Sequence, residues 1–167
     1  MDNATTGPAA TGDLEVLTFA LDGEMFAVEA GLVREILDMV PVTEVPNSRP
    51  SLGGLINVRG KVAPLCDLGP LLGLERRAAS IDTRIIVLDI RLDDEMLSLG
   101  VVVDKVYEVT QIAATALEEA PSIGLSIRKE FVHGIGKRGQ QFIIVLKIER
   151  LFATADSASP STAGDRV

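Results

Sequence analysis

The stretch GGLINVRGKVAPLCDL, at residues 53–68, predicts a β-strand, a tight turn and a second strand. Its first apolar run is short and β-prone, residues 59–61 are the turn, and Gly60 supplies the positive φ that a tight hairpin needs. Pro64 interrupts the second run and has no N–H to donate, which predicts an edge or bulge position. Arg59 stands at the turn, and its guanidinium is too strongly solvated to be buried without partners. We therefore expect Arg59 to point to water or to pair across an interface.

Short apolar runs separated by turn residues continue on both sides of this hairpin, which predicts a mainly β protein. The chain has 167 residues, of which 47% are hydrophobic but only 4% aromatic, so its core must be built from Val, Ile and Leu. Further strands are predicted over residues 14–21, 24–28, 34–40, 83–91, 96–103, 104–109, 131–136 and 141–146, with a closing helix over residues 148–152.

Three short patterns recur along the chain, which indicates an internal repeat. Two similar small barrels would explain both the repeat and the many short strands. The paired patterns are Glu24-Met25 with Glu95-Met96, Val33-Arg34-Glu35-Ile36 with Val106-Tyr107-Glu108-Val109, and Arg59-Gly60 with Arg138-Gly139.

The two ends of the chain differ in composition from the middle. Residues 1–12 and 154–167 are rich in small and polar residues and are predicted to be disordered tails. Residues 13–153 are predicted to form one ordered domain, with a first barrel at about 14–82 and a second at about 83–152. A strand crossover between the two barrels is compatible with the pattern.

Charge and composition exclude several classes of partner. The net charge of -8 argues against nucleic acid and against an anionic membrane surface. No apolar run approaches the roughly 20 residues of a membrane helix, and the first residues have no secretory pattern, so we expect a cytoplasmic protein without membrane insertion. A single Cys rules out an internal disulfide and fits a reducing compartment.

Catalytic chemistry is not expected. His133 is the only His and is interpreted as a plain strand residue, while Cys66 is interpreted as a small buried hydrophobe. With one residue of each kind, a zinc site is not expected, and no phosphate-binding or dinucleotide-binding glycine pattern is present. The acidic run Asp93-Asp94-Glu95 lacks EF-hand spacing and is predicted to be a solvated turn. We expect no enzyme activity, no metal and no cofactor.

A partner-binding surface is the functional candidate that remains. Val33, Glu35 and Leu37 alternate along a predicted strand and would share one face, which either packs on the core or forms an apolar strip with a charged rim. Val42 belongs to the same proline-broken stretch, and Arg59 would be the polar anchor of the strip.

Three separated segments resemble the CheW-like domain of bacterial chemotaxis in its stand-alone form. They are GLINVRG at residues 54–60, followed by Pro64 and Asp67-Leu68, then GVVVDKV at residues 100–106, and the closing stretch over residues 131–151. The resemblance covers about residues 14–152.

This resemblance implies a fold of two five-stranded SH3-like β-barrels packed on a shared apolar core, with a short C-terminal helix. It implies a non-enzymatic adaptor that joins the cytoplasmic tips of chemoreceptors to the regulatory domain of the histidine kinase CheA. One barrel would pair with a similar barrel of the kinase, and the receptor's helical hairpin would lie near the groove between the barrels, where Arg59 could meet a receptor carboxylate or carbonyl. The expected partner-binding residues are Val33, Glu35, Leu37, Val42, Gly54, Asn57, Arg59 and Gly60.

Three other functions remain open at the level of sequence. A CheW-like adaptor can serve a receptor–kinase pathway that controls pili, development or second messengers. A small-ligand barrel or enzyme would need converging polar groups in a pocket, which the sequence does not indicate. An RNA-binding barrel is opposed by the acidic charge and by the scarcity of aromatic residues for stacking.

Overall fold

The computed structural model describes residues 13–44, 52–75, 78–119 and 127–158. Within these ranges the chain forms ten strands and two α-helices, with three single-turn 3-10 helices. The strands are β1 (Leu14–Leu21), β2 (Glu24–Glu29), β3 (Val33–Asp38), β4 (Leu52–Val58), β5 (Lys61–Cys66), β6 (Arg84–Leu92), β7 (Glu95–Val103), β8 (Lys105–Ile112), β9 (Val132–Arg138) and β10 (Gln141–Leu146). The helices are α1 (Leu68–Leu72) and α2 (Ile148–Ala158), and the 3-10 turns are Ala30–Leu32, Ala114–Ala116 and Lys129–Phe131.

The strands form two five-stranded sheets with the same internal plan. The first sheet has the order β9-β10-β2-β1-β8 and the second has the order β4-β5-β7-β6-β3. Each sheet contains one parallel pair of strands, which is β10 with β2 in the first sheet and β5 with β7 in the second. All other neighbouring strands are antiparallel. The prediction of two five-stranded SH3-like barrels is confirmed by these sheets.

Each sheet curls until its two outer strands approach each other. In the second sheet Thr43, just beyond β3, exchanges two backbone hydrogen bonds with Leu55 of β4, at N–O distances of 2.9 and 2.7 Å. In the first sheet Glu118, beyond β8, exchanges two such bonds with Ile135 of β9, at 3.0 and 2.8 Å. Each of these isolated bridges pairs backbone groups of one edge strand, β4 or β9, that would otherwise be exposed.

The predicted division of the chain near residue 82 does not match the sheets. The second sheet is built from consecutive strands, β3 to β7, and this block is inserted between β2 and β8 of the first sheet. The expected crossover is therefore present on a larger scale, because the first barrel takes strands from both ends of the domain. Long-range pairings such as that of β10 with β2 carry no local sequence signal, which is why the boundary was wrong.

A shared apolar core holds the two barrels together. Its largest cluster combines residues of the first sheet, such as Phe19 and Phe26, with residues of the second, such as Ile86 and Val101, and with Leu151 of α2. Two smaller clusters fill the individual barrel interiors. The core is mainly Val, Ile and Leu, as the composition predicts.

The three recurring sequence patterns occupy equivalent places in the two sheets. Glu24 and Glu95 each begin the second strand of a hairpin, β2 or β7. The second pattern falls on the outer strands β3 and β8, and the third on the turns that end β4 and β9. The repeat in sequence therefore corresponds to a repeat in topology.

The two helices follow equivalent strands, β5 and β10. The short helix α1 was not predicted, although Asp67 accepts a hydrogen bond from the Gly69 N–H at 3.0 Å and Gly73 ends it with a φ of 72°. The backbone of α2 continues to Ala158, so the predicted tail began too early, since residues 154–158 are helical. None of the described helices is both long enough and apolar enough to cross a membrane. The predicted tails at residues 1–12 and 159–167 lie outside the described residues.

Candidate functional site

The tip of the β4–β5 hairpin holds Arg59 in a defined turn. Arg59 and Gly60 have φ values of 51° and 84°, which are the left-handed conformations of a type I′ turn. The side chain of Asn57 accepts a hydrogen bond from the Gly60 N–H at 2.8 Å and so closes the turn. Asn57 and Gly60, both expected to bind partners, thus shape the turn that presents Arg59.

The edge position predicted for Pro64 is wrong, because β5 lies between β4 and β7 in the sheet. The pairing of β5 with β7 covers only Leu65 and Cys66, so Pro64 is not required to donate a hydrogen bond to β7.

Arg59 and Glu35 form an ion pair across the mouth of the second barrel. The Arg59 Nε lies 3.2 Å from Glu35 Oε1 and 3.0 Å from Oε2. The carboxylate side chain is only 16% exposed, whereas the arginine side chain is 77% exposed. Hydrogen bonding to Glu35, and secondly its negative charge, raise the pKa of Arg59 above its ordinary value. Arg59 is therefore always charged at physiological pH and oriented by a neighbour in its own chain.

The ion pair bears on the sequence-based expectation that Arg59 points to water or pairs across an interface. The arginine does point to water, but it also has an internal partner that the sequence analysis did not assign. Among the described residues, the hydrogen bonds of its guanidinium involve Nε. The terminal amino groups of this exposed side chain offer donors that a carboxylate or carbonyl of another protein could accept.

The strand β3 alternates between half-buried and exposed residues. Val33, Glu35 and Leu37 share the half-buried face, as the alternation predicts. Val33 packs against the shared core, while Leu37 and Val42 pack against the interior of the second barrel. These three apolar side chains serve packing in the isolated chain, and β3 exposes a different apolar residue, Ile36, at 42%.

Gly54 allows close contact between β4 and the segment after β3. Its φ is 135°, and a Cβ atom there would lie 2.6 Å from both the Thr43 carbonyl oxygen and the Val42 Cγ1. No larger residue fits without movement of the backbone. Gly54 is buried and therefore supports the site rather than contacting a partner directly.

A cavity of about 390 Å³ opens where the two barrels meet. Most of its lining belongs to the second barrel and the segments around α1, including Met39, Leu65 and Val102. Leu21 of β1 lines it from the first barrel, and Asp104 lies at the junction. Met39 is 41% exposed at this place. The cavity combines an apolar wall with carboxylates, which suits an amphipathic segment.

The first barrel repeats the ion pair with different apolar neighbours. Arg138, at the end of β9, forms an ion pair with Glu108 of β8, as Arg59 does with Glu35. The apolar residues just after the two turns differ, because Phe142 is 60% exposed in β10 whereas the corresponding Val62 is 71% exposed in β5. The Lys137 amino group also lies over the Phe142 ring, 5.7 Å from its centroid. The molecule thus has two similar tips with distinct surfaces.

The polar residues considered for catalysis are scattered. His133 is exposed on β9, while Cys66 is a buried thiol that lines the cavity. Within the described ranges, no three His, Cys, Asp or Glu side chains come together as a metal site. Met39 and Val62 were not predicted as site residues, and Asp104 was quoted only within the GVVVDKV segment, because exposure of an apolar residue and position at a junction are tertiary properties.

Comparisons with known proteins agree on one family. The family model of the CheW-like domain matches residues 15–156. A probable chemotaxis protein CheW of Rhizobium etli is 30% identical over 146 residues, which cover 87% of this chain and 92% of that protein. Protein PilI of Pseudomonas aeruginosa is 28% identical over 127 residues, covering 75% and 68% respectively. The crystal structure of the scaffolding protein TtCheW from Thermoanaerobacter tengcongensis aligns with a TM-score of 0.73 and 32% identity, over 83% of this chain and 87% of that one. With this topology, this hairpin and these similarities, the chain belongs to the CheW-like domain family.

Proposed function

We propose that this protein is a non-enzymatic chemotaxis adaptor that couples chemoreceptors to the histidine kinase CheA. The observation that carries the proposal is the Arg59 tip, where a 77% exposed cation is held in place by a 16% exposed carboxylate. An oriented charge on a rigid hairpin is suited to recognition, since little side-chain freedom is lost on binding. Such a protein acts by binding other proteins. We assign it to the cytoplasm, where the signalling domains of the proposed partners lie.

The tip of the second barrel is the proposed docking surface for the regulatory domain of the kinase. This replaces the receptor contact that the resemblance implies for Arg59, because Arg59 is not among the residues that line the cavity between the barrels. That domain would contribute a barrel of the same type, and two small barrels can meet through strand edges and hairpin tips. Val62 and Ile36 supply exposed apolar area on β5 and β3, at 71% and 42% exposure. The outward donors of Arg59 would fix the orientation of this contact.

The cavity between the barrels is the proposed docking surface for the receptor tip. An amphipathic helix lays its apolar face into a groove of aliphatic side chains, and the cavity provides such a wall through Leu21, Leu65 and Val102. The two surfaces are distinct, so one adaptor molecule could hold both partners together.

A second pathway is kept as the alternative. Protein PilI, one of the similar proteins, has a name outside the chemotaxis set, which favours keeping this alternative in view. The same two surfaces would serve a receptor–kinase pair that controls pili, development or a second messenger, and only the partner sequences would differ.

A binding and activity experiment tests the proposal. The full chain is mixed with the kinase regulatory domain and with a receptor cytoplasmic fragment from the same organism, separately and together, and the complexes are measured by analytical ultracentrifugation. We expect binding to each partner, a ternary complex, and stimulation of kinase autophosphorylation when intact kinase and receptor are present. Absence of binding to the chemotaxis pair, with binding to a pair encoded beside the gene, would select the alternative pathway. Binding to neither would overturn the adaptor function.

A further inference from the structure

Asp104 occupies the junction at which the chain passes from one barrel to the other. It is the single residue between β7 of the second barrel and β8 of the first. Its backbone N–H donates to the carbonyl oxygen of Ala20 in β1 at 2.9 Å, which fixes the beginning of β8 beside β1. No loop therefore separates β7 from β8, and the position of one strand constrains the position of the other.

The Asp104 side chain continues this connection to a turn of the first barrel. Its Oδ2 accepts a hydrogen bond from the Asp22 N–H at 2.8 Å. Asp22 has a φ of 50°, in the left-handed region of the β1–β2 turn. The hydrogen bond thus holds a turn whose backbone conformation is uncommon for a residue with a side chain.

Asp22 in turn reaches the chain beyond α1. Its Oδ2 accepts a hydrogen bond from the Glu75 N–H at 3.3 Å. Asp104, Leu21 and Glu75 all line the cavity between the barrels. Two successive carboxylates therefore tie together the walls of the cavity, from the β7–β8 junction through the β1–β2 turn to the segment after α1.

We propose that Asp104 is a positioning residue, which acts through Asp22 to set the separation of the cavity walls and hence the fit of a receptor helix. The part of this inference that concerns the fit of a receptor helix rests on the proposed function. The apolar core joins the barrels by contacts that have little directional preference. Hydrogen bonds are directional, so these three restrict how the β7–β8 junction, the β1–β2 turn and the segment after α1 lie relative to one another.

The experiment measures geometry and binding separately. Nitroxide labels are placed on cysteines introduced at Lys61 and Gln140, which are exposed near the tips of different barrels, in a Cys66→Ser background. Double electron–electron resonance then gives the distance distribution between the labels. Affinity for the receptor cytoplasmic fragment and for the kinase regulatory domain is measured on the unlabelled full chain by calorimetry.

Asp104→Ala is the principal variant, and Asp93→Ala is the matched control. Asp93 lies in the β6–β7 turn with the φ of 50° that Asp22 has in the β1–β2 turn, so its replacement tests an exposed turn aspartate away from the junction. For Asp104→Ala we expect a shifted or broader distance distribution and about fivefold weaker receptor binding, as loss of one hydrogen bond suggests, with unchanged kinase binding. Asp104→Asn keeps an acceptor oxygen and should behave like wild type.

The outcomes distinguish failure of the positioning role of Asp104 from failure of the proposed adaptor function. An unchanged distance distribution in Asp104→Ala would overturn the positioning role, as would equal losses of receptor and kinase binding. If Asp104→Ala fails to fold, Asp104→Glu displaces the acceptor by one methylene, and an unchanged distribution there would overturn the inference. Failure of the wild-type chain to bind the receptor fragment would instead refute the proposed function, while the distance measurement would still test the role of Asp104.

Discussion

Arg59 lies 3.0 Å from Glu35, although the two residues belong to opposite ends of the same five-stranded sheet. The contact is possible because the sheet curls until β3 and the end of β4 face each other. An exposed ion pair contributes little to stability, so its main effect is to orient the guanidinium. The same arrangement in Arg138 and Glu108 shows that closure of each barrel places an arginine at its tip.

Replacement of Arg59 by Glu should abolish coupling without unfolding the protein. The carboxylate would face Glu35 and would reverse the charge offered to a partner. We expect kinase activity in reconstituted arrays to fall to the level without adaptor, while the circular dichroism spectrum is unchanged. Arg150→Glu, an exposed reversal on α2, is the control of equal charge and should retain coupling.

The double variant Glu35→Arg with Arg59→Glu separates internal support from partner contact. The ion pair can re-form with its charges exchanged, but the tip then presents a carboxylate. We expect no recovery of kinase activation. Full recovery would show that the pair acts only within the chain, and the proposed contact of Arg59 with another protein would be wrong.

Gly54→Ala should destabilise the second barrel. The φ of 135° is unfavourable for any other residue, and the new methyl group would lie 2.6 Å from the Thr43 carbonyl oxygen. We expect a loss of more than about 1 kcal/mol in the free energy of unfolding, measured by urea denaturation. Gly31→Ala is the matched control, since no heavy atom lies within 4 Å of the place its new methyl group would take, and it should be nearly neutral.

Cys66→Ser and His133→Gln should both retain coupling. The serine hydroxyl in a buried site costs about 1–3 kcal/mol of stability, whereas the exposed His133 should tolerate replacement. Kinase activation at a temperature well below the melting transition is the relevant measurement. Loss of activation in either variant with a retained fold would reopen the ligand-binding and catalytic hypotheses.

Asp67→Ala should weaken α1. The Asp67 side chain accepts a hydrogen bond from the Gly69 N–H at the beginning of the helix and is buried. Loss of such a cap costs about 1 kcal/mol, with more expected here because the site is buried. Urea denaturation measures the loss, and Asp67→Asn, which retains an acceptor, should recover most of the unfolding free energy. Equal losses in both variants would exclude the capping role.

Local signals in the sequence predicted the individual hairpins correctly. Asp22-Gly23 and Arg59-Gly60 both adopt left-handed backbone conformations, because two-residue turns between twisted strands require them. The alternation in β3 correctly placed Val33, Glu35 and Leu37 on one face. These features depend on a few neighbouring residues, which is why they could be predicted from the sequence.

Other features depend on residues that are far apart in sequence. The pairing of β10 with β2, the insertion of one barrel into the other and the contact between Arg59 and Glu35 all arise only on folding. The helix α1 was missed for a different reason. Asp67 and Gly73 mark its ends, but the five residues of this helix are too few for a periodic apolar pattern to show.

The insertion of one barrel into the other has a consequence for synthesis on the ribosome. Strands β3 to β7 are consecutive, so the inserted barrel can pair all its strands once β7 has emerged from the exit tunnel. The strands β1 and β2 are translated earlier, yet their neighbours β8 and β10 emerge only after the inserted barrel. The nascent protein must therefore keep the β1 side of its first hairpin unpaired until β8 has emerged, and the β2 side until β10 has emerged.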